Sequence, residues 1–524
     1  MVNHRRIAVS VLFGTLFSCF TIIGFELNNF HVIDFSFGTV LMIVLLAILL
    51  SIALYYLVEM KVKLKEEDFK PSKLKIFLLL MAITAVFFLI VYPGNFCYDI
   101  ARQLEEYKFG AYSTHYPPAY CFLVGMLIDL GTKIFGSING GVAFYVAVQA
   151  IVTNFVISHI IVELAKRLKN KKFYHISILY FVIHPFVFNL MLSTCQDVLF
   201  GDIFVLLLLE FVNISENEKY FASKKSFIKI FTLTFLMCIL RNNGVFALAP
   251  AIIIGLISMR KNRLSLLLFL GAPIILFLIG YNLVFMNSIN VARESVFHES
   301  LNIPVLQIAR AVYMDRDKAW DNNLNKYFTT DCDWQSYGIY PSLSDGIKLY
   351  LRDEVVESDL LGFIGTWGSI GLKAPNRYIE APAISALTMY YPFVDHSKAA
   401  PIIYSSYIEY GNGIPNVERK QILPEADNFL RTFFQNKKIW NKIPIFRIIW
   451  SAAFSVYLFI IAIIFAIYKK TSKYALPLGL IFGLLLTVFL APVVIFRYMF
   501  PVVLATPVMF YVIIKVINQK RGKI

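Results

Sequence analysis

Long stretches without one charged side chain decide what this chain can fold into. Apolar runs of about 17 to 23 residues recur along its 524 residues, each long enough to cross a hydrocarbon core as a helix. Inside lipid the backbone must satisfy its own hydrogen bonds, and these runs are too continuous for the alternation of a membrane barrel. The chain is 58% hydrophobic and 16% charged, more apolar surface than a soluble core can hide. The reading is an all-α integral membrane protein.

The clear spans are residues 7–25, 38–58, 76–93, 142–163, 174–194, 197–213, 228–240, 245–259, 264–286, 446–468, 474–490 and 496–515. The start, MVNHRRIAVSVLFGTLF, has a basic-then-apolar layout with no small-residue cleavage site before the next span, so it is expected to remain as the first helix. Cys19, Cys97, Cys121, Cys195, Cys238 and Cys332 show neither CxxC nor other ligand spacing, which suggests no disulfide framework and no zinc site. No internal repeat or low-complexity tract is evident.

Sidedness comes from the basic residues, 49 Lys and Arg against 34 Asp and Glu. They cluster between apolar runs as topology signals and imply no nucleic-acid partner. Residues 119–135, with Asp129 and Lys133, are short for a span. If they crossed, the basic segments at 166–172, 219–229, 260–263, 469–473 and the C-terminal tail would all face outward. As an amphipathic helix in the outer interface, they leave twelve spans with both termini cytoplasmic. The expected organisation is a membrane core, 1–286, with a first outer loop at 92–141. An extracytoplasmic loop or small domain at 287–445 follows, then C-terminal helices and a cytoplasmic tail at 446–524.

On that topology polar residues gather outside. Asp99, in YPGNFCYD, follows a Pro-Gly break after a span and should sit at headgroup depth, where a carboxylate can take a proton from an attacking hydroxyl. The alternative is an N-cap for the helix that follows. In THYPPAY the double proline forces an extended lead into the next helix and points His115 to the surface, though a lone histidine is more often structural. STCQDVLFG puts Gln196 and Asp197 at the rim, with an N-cap as the simpler role for the aspartate. LRNNG adds Arg241, Asn242 and Asn243, and an outer arginine runs against the positive-inside bias unless an anion such as phosphate holds it. APVVIFRYMFP contributes Arg497, and ARESVFHESLNIPVLQIAR contributes Arg293, Glu294, His298, Glu299, Gln307 and Arg310. Charges within the spans are expected to be scarce. His184 is the main mid-membrane ionisable residue, expected to fill the gap that Pro185 leaves in helix hydrogen bonding.

These segments resemble the GT-C superfamily of membrane glycosyltransferases, which includes protein mannosyltransferases and lipid A aminoarabinose transferases. The likeness lies in YPGNFCYD, HYPPAY, the rim motif CQD and the late outer arginines; LRNNG and RESVFHES look closest to an uncharacterised bacterial branch. It covers residues 1–310 and 446–515. The resemblance implies a bacterial plasma-membrane enzyme with an extracytoplasmic active site, transferring sugar with inversion from polyprenyl phosphate. Asp99 would be the base. Arg241, Asn242, Arg310 and Arg497 would hold the donor phosphate and lipid, and His115, Asp197, Gln196, Arg293 and Glu294 would serve the acceptor or support the site. Where related sequences often have Lys before the rim Asp, Gln196 stands here, which leaves phosphate contact to the arginines. A divalent ion at Asp197 is left open. The acceptor would be a cell-wall polysaccharide, teichoic acid or glycolipid, chosen by the 287–442 region.

A guanidinium pair would meet the charge developing on a lipid-phosphate leaving group, and the short cytoplasmic loops, with no P-loop or GxGxxG, suit a donor that is not a nucleotide. The rival readings are a polysaccharide polymerase or ligase, and a transporter or flippase for lipid-linked saccharides. The second of these predicts paired ionisable groups near the bilayer midplane.

Overall fold

The computed structural model describes residues 4–61, 67–293, 296–394, 407–411, 416–435 and 444–519. It is predominantly helical, and the one sheet among the described residues is the pairing of Tyr407–Ile408 with Val417–Glu418. Each of the twelve apolar segments lies on helix. Among the described residues, eight helices are long and apolar enough to cross a membrane, ten if each of two bent pairs counts as one span, and Gly244–Ser258 and Ala475–Phe489 are shorter apolar helices. The chain is an all-α, multi-pass membrane protein. Pro118–Phe135, expected along the interface, is among the eight long enough to cross.

Serine or asparagine starts many of these helices. Ser36, Ser72, Ser137, Asn170 and Ser223 each accept the N–H three residues on, supplying a partner to an amide the helix leaves unpaired.

The chain packs as two compact units, each assembled from several stretches of sequence. The first joins residues 1–59, 295–395 and 486–495. In it α1 (His4–Phe30) and α2 (Phe37–Leu57) form a close hairpin, tied at the turn by Glu26, which accepts from the Thr39 hydroxyl at 2.8 Å and the Asp34 amide at 3.0 Å. The 296–390 region, whose secondary structure the sequence left open, is a set of short helices around Asn302–Met314, with Val305, Ile308, Ala309 and Val312 buried among Leu324, Ile347, Val356 and Phe363.

The second unit comprises 60–294, 396–485 and 496–524. Its helices begin with α3 (Lys73–Val91), α4 (Asp99–Phe109), α5 (Pro118–Phe135), α6 (Ile138–Leu168), α7 (Lys171–Val182), α8 (Pro185–Met191), α9 (Gln196–Glu216), α10 (Lys224–Leu240) and α11 (Gly244–Ser258). α9 is enclosed along much of its length, with Val198, Phe200, Phe204, Leu207 and Leu208 buried. The Phe496–Leu504 helix lies against it so closely that a Cβ on Gly201 would meet Phe500 at 3.0 Å. That packing carries the start of the late helix to the start of α9.

Two expectations about charge within the spans are corrected. Buried ionisable groups are not scarce, because α9 carries Asp202 and Glu210, both fully enclosed. Asp202 accepts from the Thr153 hydroxyl at 2.8 Å, and Glu210 is paired with Lys229 of α10. His184 does sit at a break, a 63° bend between α7 and α8. Its ring nitrogens, however, meet no hydrogen-bond partner among the described residues, so it does not mend the broken helix bonds. The ring packs instead on Tyr180, Phe186 and Phe496.

In the first unit, Arg310 and Glu380 form a buried ion pair at 2.9 Å, with side chains 1% and 0% exposed. Glu380 also accepts from the Ile33 amide at 3.1 Å and from Arg377 at 2.8 Å. Removing one partner of such a pair leaves an uncompensated buried charge, so Glu380→Ala should destabilise this unit by about 3–5 kcal/mol. The expected observation is a large drop in the Tm of the purified protein; an unchanged Tm would show that the pair is dispensable.

Candidate functional site

The site in the second unit begins with two chain segments that run side by side. After α3 the turn at Pro93-Gly94 has Gly94 at φ 145°, where a Cβ would press on Val146 at 3.0 Å and on the Leu192 carbonyl at 3.2 Å. Glycine lets the segment lie against the chain leaving α8. There the Asn95 amide donates to the Leu192 carbonyl and the Thr194 amide to the Asn95 carbonyl, both at 2.9 Å. Asn95 and Ser193 form a parallel bridge. The Asn95 side chain donates to Asn189 Oδ1 at 2.8 Å, and the Cys97 amide donates to the Thr194 hydroxyl at 3.0 Å.

Both segments end in the same short pattern, Cys-x-Asp, as a helix begins: Cys97-Tyr98-Asp99 into α4 and Cys195-Gln196-Asp197 into α9. Neither aspartate acts as an N-cap, the simpler role considered from sequence. Each lies within its helix, and neither cap position makes a side-chain bond. Both carboxylates reach arginines instead. Arg497 Nη1 donates to Asp99 Oδ2 at 2.6 Å, and its Nε stands 3.9 Å from Asp197 Oδ2. Arg241, just past the end of α10, pairs with Asp197 Oδ1. The result is a chain of alternating charge, Asp99, Arg497, Asp197, Arg241, from four separate parts of the sequence. All four residues are buried, Asp197 completely and Asp99 to 8% exposure.

Aromatic rings hold the guanidinium planes. Tyr498 lies 4.9 Å from the Arg497 carbon and 4.6 Å from that of Arg241, and Tyr98 lies 5.3 Å from Arg497. Rings at this range add cation-π attraction and keep water off the charges. Tyr98 is half exposed, so the cluster lies just beneath a surface. Burial, together with the nearby Asp99 charge, raises the Tyr98 and Tyr116 phenols well above the usual tyrosine range, and both stay neutral.

The remaining residues singled out from sequence have varied places. Gln196 accepts from Gln103 at 3.4 Å. His115 is exposed beside Tyr116, and Asn242 donates to the Thr114 and His115 carbonyls at 2.8 and 3.1 Å, which ties this loop to the turn carrying Arg241. Pro117 is extended, as the double proline predicted. Arg293 bonds Asn282 and Asn287 rather than either aspartate. Arg310 belongs to the first unit, where Glu380 and the Gly338 and Ile339 carbonyls saturate it. Its described partners all lie within that unit. His298 and Gln307 likewise bond within that unit, to Asp353 and to Trp367. Glu294 lies outside the described residues. No group of three or more His, Cys, Asp or Glu side chains is placed to hold a metal among the described residues.

Sequence reasoning missed the two cysteines, which face their own aspartates at 3.6 Å (Cys97) and 3.3 Å (Cys195). It also missed Gln103 and Glu106, which with Asp99 occupy the buried face of α4. The signals were present: Cys-x-Asp occurs twice, and 99, 103 and 106 follow the four- and three-residue steps of one helix face. Burial pushes the Glu106 carboxyl above the usual carboxylate range, against the pull of the Ser113 hydroxyl at 2.8 Å.

No curated protein and no solved structure matches the chain. Residues 111–523 match DUF6020, described as a family of unknown function; the match takes in Asp197, Arg241 and Arg497 and begins after Asp99. On the extent of that match, the chain belongs to the DUF6020 family.

Proposed function

We propose that this protein is a membrane glycosyltransferase that moves a sugar from a polyprenyl-phosphate donor to an extracytoplasmic acceptor, with Asp99 as general base. The acceptor class is a surface polysaccharide, teichoic acid or glycolipid. The observation that carries this reading is the meeting of Asp99, Asp197, Arg241 and Arg497 in one buried cluster under a half-exposed tyrosine. A lipid phosphate is the kind of anion two adjacent guanidinium groups hold by paired charge-assisted bonds. Its arrival competes with the carboxylates for Arg497 and Arg241. The donor thereby frees Asp99 as it binds, and the base can then take the acceptor's hydroxyl proton while the arginines meet the charge developing on the leaving phosphate. The positive-inside reading, with Pro118–Phe135 in the interface, puts this cluster at the outer leaflet.

Asp202 and Glu210 within α9 favour a second reading, a flippase for lipid-linked saccharides, since enclosed ionisable groups in spans often mark a translocation path. The two readings divide on Asp202→Asn, which should leave sugar transfer in place if the protein is a transferase and stop lipid movement if it is a flippase.

The test of the base is Asp99→Asn, which keeps an acceptor for Arg497. Transfer, followed as polyprenyl phosphate released from polyprenyl-phosphate sugar, should fall at least roughly a hundred-fold with the protein still folded. Wild-type glycosylation on the surface of Asp99→Asn cells would refute the assignment. Arg241→Ala should act mainly on binding, raising donor KM roughly 10- to 100-fold, the worth of a hydrogen bond to a charged group; a change confined to kcat would contradict the phosphate role.

A further inference from the structure

The two thiols of the site are not explained by holding aspartates in place, because serine would donate to a carboxylate better. Their placement points to a second chemistry. The parallel bridge joins Asn95 to Ser193, and each cysteine follows its bridged residue by two positions, so the two segments bring Cys97 and Cys195 close. Parallel neighbours stand roughly 5 Å apart, inside the Cα separation a disulfide accepts. The Cys97 amide donates to the Thr194 hydroxyl at 3.0 Å, which holds Cys97 against the residue next to Cys195. Both are free and buried, and they are the residues directly before Tyr98 and Gln196. Arg497 Nη1 lies 2.7 Å from Cys97 Sγ, so the pair adjoins the charge cluster directly.

We propose that Cys97 and Cys195 are a redox-active pair whose reversible disulfide switches the charge cluster between a working and a closed state. The co-reactant is a small organic disulfide. The Cys97 thiolate attacks one of its sulfurs, its S–S bond breaks, and one thiol leaves. The Cys195 sulfur, losing its proton, then attacks Cys97 Sγ and displaces the second thiol. The two cysteines are oxidised by two electrons, the organic disulfide is reduced to two thiols, and the protons of the cysteines end on those thiols. Closing the bond removes both S–H donors from Asp99 and Asp197 and draws Cys97 Sγ from Arg497, so the Asp99–Arg497 pairing must change. On the outer leaflet the pair would face an oxidising environment. The effect on transfer rests on the glycosyltransferase reading, whereas the disulfide itself does not.

The experiment treats the full-length protein in lipid nanodiscs with cystamine and maps cysteine pairing by mass spectrometry after alkylation, without reduction. The expected result is a linked peptide joining residues 97 and 195 that dithiothreitol reverses. Turnover of polyprenyl-phosphate sugar should fall at least ten-fold and return in step with it. Cys195→Ser should stop at a cysteamine adduct on Cys97 with no linked peptide, and the double variant Cys97→Ser/Cys195→Ser, whatever its turnover, should be indifferent to cystamine. Two thiols that remain fully alkylatable after treatment, or a link to any other cysteine, would overturn the pair. A linked peptide with unchanged turnover would overturn the switch alone, and failure to find any transfer would count against the proposed activity while leaving the linkage result standing.

Discussion

Four charges held out of water next to one another are the constraint on which the second unit's polar architecture depends. A buried carboxylate or guanidinium is costly alone and tolerable only when paired and well bonded. Asp99, Arg497, Asp197 and Arg241 solve this together, since each inner member of the chain faces two opposite charges. Satisfying them requires the starts of α4 and α9, the end of α10 and the first turn of the Phe496–Leu504 helix to converge. The Gly94 turn, the Asn95–Ser193 bridge and the Gly201 packing contact serve that convergence.

The same arrangement suits an anionic ligand. Alternating charge gives a cluster that is neutral at rest, so it can be buried, and one that presents two adjacent guanidinium groups when a stronger competitor for them arrives. Tyr98 and Tyr498 keep the guanidinium planes in register through such an exchange. Under the proposed function, a phosphate on a lipid carrier would supply that competing charge.

Much of this was legible in the sequence because lipid leaves so few choices. Long charge-free runs must be helices, so all twelve segments lie on helix, and polar residues at the ends of those runs were candidates for a shared site. Asp99, Asp197, Arg241 and Arg497 were singled out for that reason and converge. Arg310 was singled out on the same ground and is held in an ion pair within the first unit, because position after a span says nothing of a partner such as Glu380, seventy residues on. The thiols were illegible as a pair, since ninety-seven residues lie between Cys97 and Cys195 and it is the backbone contacts around Asn95, Ser193 and Thr194 that bring their segments together. Asp202 and Glu210 were hidden by the hydrophobicity of the helix that carries them. Span count is the least legible quantity, because Pro118–Phe135 has the length of a span and the charges of a surface helix.

The central claim is that a lipid phosphate takes the two arginines from the two carboxylates. It is tested most directly by a cryo-EM structure of the protein in nanodiscs with polyprenyl phosphate bound. The account predicts phosphate oxygens on Arg497 and Arg241 with the Asp99–Arg497 contact opened. A phosphate bound elsewhere, with that contact intact, would contradict it.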